Sequence, residues 1–308
     1  MRSFSLKGKA QRVSRPMLFL GVLVVFTLVL AACGNSTTTT GSNVPTPNAS
    51  TPTVTPPNDL LTPGTLTVGS DTTYPPQEFV DTTTGKSTGF DIDLITAIAQ
   101  RMGLKVNIVR ADFGTIIDSL IARRFDVVIS AVTINPDRQK KVDFVPYFNA
   151  GESLLVPKGN PKNITTIGGM CGLKVGVQNG TVEQDDANAA DAACKKAGKQ
   201  GITITALQNQ TDVVQLLATG RVDATYQDSP VTDYYISLNP GRFQVGGSVV
   251  NAAPEGIVVR KGDTSMFTAV QTAFNQLKAA GTYDALFTKW HLSDAQKISD
   301  VRRNQDVA

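Results

Sequence analysis

The chain has 308 residues, of which 41% are hydrophobic and 18% charged, and its 29 basic and 26 acidic side chains give a formal charge of +3. Five of the basic residues (Arg2, Lys7, Lys9, Arg12, Arg15) precede Cys33, so the remainder carries 24 against 26, a formal −2. The basic pI belongs to the leader, which excludes a charge-driven nucleic-acid partner.

The leader has no acidic residue before an apolar run from Met17 to Ala32. That run is shorter than the roughly 20 residues of a membrane span and suits the core of a signal peptide with a small-residue cleavage site. Its end, Leu30-Ala31-Ala32-Cys33, resembles the bacterial lipobox. There the thiol receives a diacylglycerol, and cleavage leaves the cysteine first in the mature chain. The alternative is an uncleaved N-terminal anchor. Either way the chain leaves the cytoplasm and stays tethered to the cell membrane, firmly if two acyl chains are attached. Residues 1–32 are expected to be the signal peptide. Residues 33–63, rich in Thr, Pro, Ser and Asn and uncharged until Asp59, are expected to form a lipidated, disordered linker.

From Gly64 onwards strands and helices alternate, over about 240 residues, enough for two modest lobes. The first pass predicts a strand over 66–70, a helix over 90–102, a strand over 105–110, a helix over 115–124 and a strand over 126–132. The second predicts a strand over 173–178, a helix over 182–196, a strand over 202–207, a helix over 211–219 and a strand over 223–228. Leu120 to Ser130 and Leu217 to Gln227 share a pattern: a helix closes in a basic turn and Asp126 or Asp223 opens the next strand. This is an α/β chain in two lobes with parallel sheets. Ligands in such sheets bind beyond the carboxyl ends of the strands, here a cleft between the lobes. A strand over 256–260 and helices over 265–280 and 282–290 lack a partner in the second lobe. The chain is therefore expected to return to the first, with two hinge strands near 150–156 and 246–254. The expected boundaries are 64–151 for lobe one, 152–248 for lobe two, 249–293 for the return and 294–308 for a tail. Cys171 and Cys194 flank a strand and its following helix. The rise of about 26 Å and return of about 21 Å nearly cancel, so a disulfide is expected, the alternative being two buried free thiols.

Four turns at strand ends carry the polar chemistry. Gly69 to Pro76 holds Asp71 and the aromatic wall of Tyr74. Ser130 to Arg138 holds small and hydroxylated residues, Thr133 among them, and a guanidinium able to clamp a carboxylate through two parallel bonds. Pairing of Arg138 with Asp137 or Asp143 on a solvated turn is the alternative. Gln178 to Glu183 leads a strand into a helix whose free N–H groups at Thr181 and Val182 favour an anion. In Tyr226 to Pro230, Asp228 supplies a carboxylate or an N-cap. With Phe113 as a second wall, the set suits a zwitterion. Its carboxylate would lie between Arg138 and the Thr181–Glu183 amides, and its ammonium at Asp228.

The stretches GTLTVGSDTTYPPQEF, GFDIDLITAIAQRMG, RRFDVVISAVTINPDRQKKVDF, GLKVGVQNGT, GRVDATYQDSP, GIVVRKGD and AAGTYDALFTKW lie in this order between Gly64 and Trp290. Together they make the chain resemble the extracellular solute-binding proteins, family 3, of amino-acid ABC importers. The resemblance implies a two-lobed periplasmic-binding-protein-like fold of type II. It also implies ligand roles for Asp71, Tyr74, Phe113, Ser130, Ala131, Thr133, Arg138, Thr181, Val182, Glu183 and Asp228. Ala131 stands where many relatives have Ser or Gly, so only its backbone N–H is expected to contribute. Gln77 stands where Phe is common, and Val182 and Glu183 replace a frequent Thr-Gln or Thr-Thr pair.

Asp71, Glu183 and Asp228 face one arginine, so an acidic ligand side chain would find no second cation. A basic or neutral polar amino acid is expected, together with an ABC permease as partner, and a monomer. No cofactor, metal or catalytic role is expected. A dehydratase or lyase on the same fold and an amino-acid-sensing receptor module are the alternatives. The one histidine, His291, lies beyond the predicted cleft.

Overall fold

A computed structural model describes residues 52–298; the signal-peptide and Cys33 readings and the last ten residues of the tail lie outside them. The chain opens with β1 (Thr65–Ser70), a small antiparallel sheet of β2 (Thr73–Tyr74), β3 (Glu78–Val80) and β4 (Ser87–Thr88), and α1 (Phe90–Arg101). It continues with β5 (Lys105–Arg110), α2 (Ile116–Ile121), β6 (Val127–Val128), α3 (Pro136–Lys141) and the long β7 (Val142–Pro157). The second lobe holds β8 (Lys174–Gln178), α4 (Val182–Lys196), β9 (Thr203–Leu207), α5 (Gln210–Ala218), β10 (Ala224–Asp228), α6 (Ser229–Leu238) and β11 (Phe243–Val245). The chain ends with β12 (Val250–Arg260), α7 (Thr264–Ala279) and α8 (Thr282–Lys289).

The strands follow one path, β5-β1-β6-β12-β7-β10-β8-β9, with β11 added to β7. Strand β1 pairs in parallel with β5 and β6, and β8 in parallel with β9 and β10. Two long antiparallel strands join these halves. The first part of β7, from Val142 to Ala150, pairs with β12, and Glu152 to Leu155 pairs with β10. The β7–β12 ladder shifts register between Val250 and Ala253, where Asn251 takes φ 51. This break lies beside Gly151, where the chain passes from one lobe's sheet to the other.

Helix α1 shows how the apolar pattern becomes a core. Ile92, Leu94, Ile95, Ile98 and Ala99 recur at helical spacing and are all buried. Leu94, Ile95, Ile98 and Ala99 pack with Met266, Val270, Phe274 and Leu277 of α7 and with Tyr283 and Phe287 of α8. The helix starts at Gly89, whose φ of 132 and approach to the Gln77 carbonyl, 2.1 Å from where a Cβ would stand, leave room only for glycine.

Three elements differ from expectation. The strand read over 126–132 pairs only at Val127–Val128, because Ala131, at φ 47, turns the chain away from the sheet. The helix read over 115–124 divides into a 3₁₀ turn at Phe113–Thr115 and the shorter α2. The turn before Arg138 is itself a helix, with Asn135 as N-cap (Oδ1 accepts from Arg138 N, 2.9 Å) and Pro136 in its first turn.

The expected linker also ends earlier than Pro63. Residues 52–63 lie against lobe one: Thr53 N donates to Arg101 O (2.9 Å), Val54 is buried in the core beside Leu60, and Leu61 N donates to Asp126 Oδ1 (2.9 Å). Asp59 pairs with Arg123 (3.0 Å) and Arg260 (3.4 Å). A few apolar side chains and one acid suffice to hold a Pro-rich strap, which average composition conceals. The other end is anchored as well. Ile298 is buried, and its N–H donates to Tyr283 Oη (3.0 Å).

Cys171 and Cys194 form a disulfide across the second lobe's core, with Cα atoms 5.5 Å apart. It closes a loop with a sequence separation of 23. Cys171→Ala/Cys194→Ala is expected to lower unfolding stability by about 3 kcal/mol. Guanidinium denaturation checks this, and an unchanged midpoint would show that the crosslink adds nothing.

Candidate functional site

The carboxyl ends of β1, β8 and β10 and the turn after β6 converge between the lobes. There they line a small, narrow space. Lobe one lines it with Tyr74, Phe113, Ala131, Thr133 and Arg138, and lobe two with Gln178, Thr181, Val182, Glu183 and Asp228.

Arg138 is positioned by α3 and turned inward. Its Nη1 donates to Thr133 O (2.7 Å), Nη2 donates across the cleft to Gly180 O (3.1 Å), and the guanidinium lies 5.5 Å from the Phe113 ring centroid. Asp137 pairs instead with Lys140 (2.6 Å) and Asp143 with Lys261 (2.9 Å), so the solvated-turn alternative does not hold. Burial lowers the Arg138 pKa, opposed by the nearby Glu183, Asp228 and Asp185.

The opposite wall is the start of α4. Thr181 is its N-cap, accepting from Gln184 N (3.2 Å) and donating to Gln178 O (2.9 Å). The N–H groups of Val182 and Glu183 belong to the first turn, where a helix has no internal acceptors. Gly180 makes this approach possible. At φ +82, a Cβ on it would stand 2.5 Å from Gly114 Cα of the other lobe.

Asp228 occupies the N-cap position of α6 without capping it. Its Oδ2 accepts from Tyr74 Oη (2.8 Å), and its own N–H donates to that oxygen (3.0 Å), joining the lobes. Burial raises the Asp228 pKa to about 6, against the Tyr74 bond and the Arg138 charge. Burial raises Glu183 well above the usual carboxyl range, and Asp228 and Glu152 add to the effect.

Two residues singled out in the sequence stand behind the wall. Asp71 is buried, its Oδ2 accepting from Thr73 Oγ1 (2.5 Å) and Gln178 Nε2 (2.8 Å). Ser130 Oγ accepts from Asp71 N (2.9 Å) and donates to Glu78 Oε1 (2.8 Å). Ala131 also corrects the expectation that its N–H would serve the cleft. That group donates inward to Asp91 Oδ2 (3.1 Å), and the residue's methyl lines the space instead. The cause is a buried carboxylate pair. Glu78 and Asp91 lie fully buried behind the turn, and Asp91 also accepts from Tyr147 Oη (2.6 Å). Gln178, the last residue of β8, was not singled out. Its place at a strand end beside the Asn-Gly turn was the available signal.

His291 lies outside this space, in a separate groove with Phe79, Tyr234 and Trp290. Among the described residues no group of His, Cys, Asp and Glu could hold a metal ion, and no helix is long and apolar enough to cross a membrane.

Two α/β lobes joined by two strands, with polar residues gathered at the strand ends between them, define a two-lobed binding protein of the type II periplasmic fold. The chain belongs to the bacterial extracellular solute-binding proteins, family 3, which it matches over residues 66–293. It is 32% identical over 235 residues to the L-cystine-binding protein TcyJ of Escherichia coli (strain K12), covering 76% of this chain and 85% of that one. It is also 32% identical over 239 residues to the arginine-binding protein ArgT of Corynebacterium glutamicum, covering 77% and 78%. Among solved structures, an ancestral arginine-binding protein bound to arginine superposes with TM-score 0.68 at 39% identity, over 74% of this chain and 98% of that one. The ancestral amino acid-binding protein AncCDT-1, a precursor of cyclohexadienyl dehydratase, gives 0.67 at 38% identity, over 74% and 95%.

Proposed function

We propose that the chain captures a free basic or neutral polar amino acid between its lobes and delivers it to an ABC importer, tethered to the membrane outside the cytoplasm through a lipid on Cys33. The observation that carries this reading is the facing of a half-buried guanidinium, Arg138, and a helix start, Thr181 to Glu183, across a space that also holds Asp228. The guanidinium and the Val182 and Glu183 N–H groups grip the ligand's carboxylate. Asp228, released from Tyr74, takes its ammonium. Tyr74, Phe113 and the Ala131 methyl cover its carbon atoms, with Thr133 and Gln178 at the rim. Asp71 and Ser130 brace the Tyr74 and Ala131 turns from behind. Closure turns about β7 and β12, so ligand, bonded to both lobes, favours the closed form.

The relatives carry L-cystine, arginine and histidine in their names, which supports an amino acid as ligand. The acidic excess in the cleft favours the basic ones. A thermal-shift screen of the twenty amino acids tests the reading. Ligand at 100 times its Kd adds about 2.7 kcal/mol, or roughly 5–10 °C for a body of this size. The rise is expected with arginine, lysine or glutamine and not with aspartate or glutamate. Mass spectrometry should recover the ligand unchanged. A screen with no rise for any amino acid, or a converted ligand, would overturn the proposal.

A further inference from the structure

Glu183 stands in the first turn of α4, where an acid on a surface helix would simply complement the dipole. Here the side chain is only 2% exposed, and it lines the cleft. Its Oε1 has no hydrogen-bond partner. A buried, partnerless carboxyl oxygen costs stability unless something else meets it. Among the described residues no neighbouring wall supplies a cation for it alone. Asp228 and Tyr226 face it from β10, Glu152 from β7, Glu255 from β12, and Tyr74 from β2. Arg138, from α3, already donates to the carbonyls of Thr133 and Gly180. Burial, with the Asp228 and Glu152 charges adding to it, raises its pKa well above the usual carboxyl range and so favours the protonated form.

We infer that Glu183 receives the guanidinium or ammonium end of a cationic amino acid's side chain and releases a proton to solvent as it does so. Capture of basic amino acids is thereby proton-linked, and capture of neutral polar ones is not. The carboxyl O–H bond breaks, its electron pair stays on the oxygen and the proton passes to water. The resulting carboxylate pairs with the ligand's charge. The inference rests on the reading of the cleft as an amino-acid site and assigns that site its selectivity for basic ligands.

Calorimetric titration of the full chain at pH 7, with L-arginine and L-glutamine in phosphate and in imidazole buffer, reads the proton count. Asp228, at about 6, is mostly ionised at that pH and contributes little with either ligand. Arginine is expected to release close to one proton, and glutamine close to none. In Glu183→Gln, close in size to the native residue, the release should vanish. Arginine affinity should fall roughly 30-fold or more, the cost of removing one partner of a buried charge pair, and by a larger factor than glutamine affinity. Arginine binding in the wild-type chain without buffer dependence overturns the inference alone, whether or not the variant folds. Equal losses for both ligands in the variant overturn it too. Failure of every amino acid to bind removes the reading beneath it as well.

Discussion

Arg138→Ala is expected to weaken amino-acid binding by about 2–5 kcal/mol, roughly 30- to 4,000-fold, with little change in the stability of the unliganded chain. The residue is half-buried, its fork is already oriented by Thr133 O and Gly180 O, and the Phe113 ring lies beside it. A ligand carboxylate therefore meets a cation whose desolvation and ordering costs were met on folding, so little binding energy goes into arranging it. Removing it leaves the carboxylate facing only the N–H groups of Val182 and Glu183, with Glu183 and Asp228 close by. Arg138→Lys should give an intermediate loss, because an ammonium keeps the charge and loses the planar two-bond geometry. Calorimetric titration of both variants decides the matter, and wild-type affinity in Arg138→Ala would remove the clamp from the account.

The positions of these groups were legible because α/β chains place strand ends and helix starts together, and those boundaries have strong signals. Asn135-Pro136, Asn179-Gly180-Thr181 and Asp228-Ser229-Pro230 each combine a turn former with a cap or a first-turn proline. What lay beyond reach was the direction of individual bonds. Nothing in the sequence distinguishes an Ala131 N–H facing the cleft from one facing Asp91, because the choice follows from a carboxylate buried behind it. Asp91 stands in the first turn of α1, a position that gives no sign of burial, and only packing against Tyr147 and Glu78 shows that it is fully buried. Pro52 to Pro63 reads as linker because its anchoring depends on partners such as Arg101, Asp126 and Arg260, distant in sequence. Long-range partnership, rather than local propensity, is the information a single sequence lacks.

That same pair gives the second large expected effect: the unliganded chain should be more stable near pH 5 than near pH 8. Burial raises Asp91 from its ordinary 3.8 to about 6 and raises Glu78 well above its ordinary 4.5, with the Asp91 charge adding to the shift. A carboxyl whose pKa is higher folded than unfolded binds more protons in the folded state. Its contribution is complete below the unfolded value and is lost as pH rises through the folded one. For Asp91 that window runs from about 4 to 6 and is worth about 3 kcal/mol. Glu78, Glu183 and Glu255, all raised, extend the decline to higher pH. Asp81, Asp137 and Asp191 shift the other way but lie at the surface, so screening leaves them a small opposing share below pH 4. Glu78→Gln separates titration from packing. The oxygens without partners in this pair, Glu78 Oε2 and Asp91 Oδ1, become donor and acceptor once Glu78 carries a proton, and a glutamine amide donates in the same way at every pH. The variant should fold, keep the Ser130 bond and show a shallower fall in melting temperature from pH 5 to pH 8. A wild-type melting temperature that rises over that interval, or an equal slope in the variant, would mean that the buried pair is not what links this fold to protons.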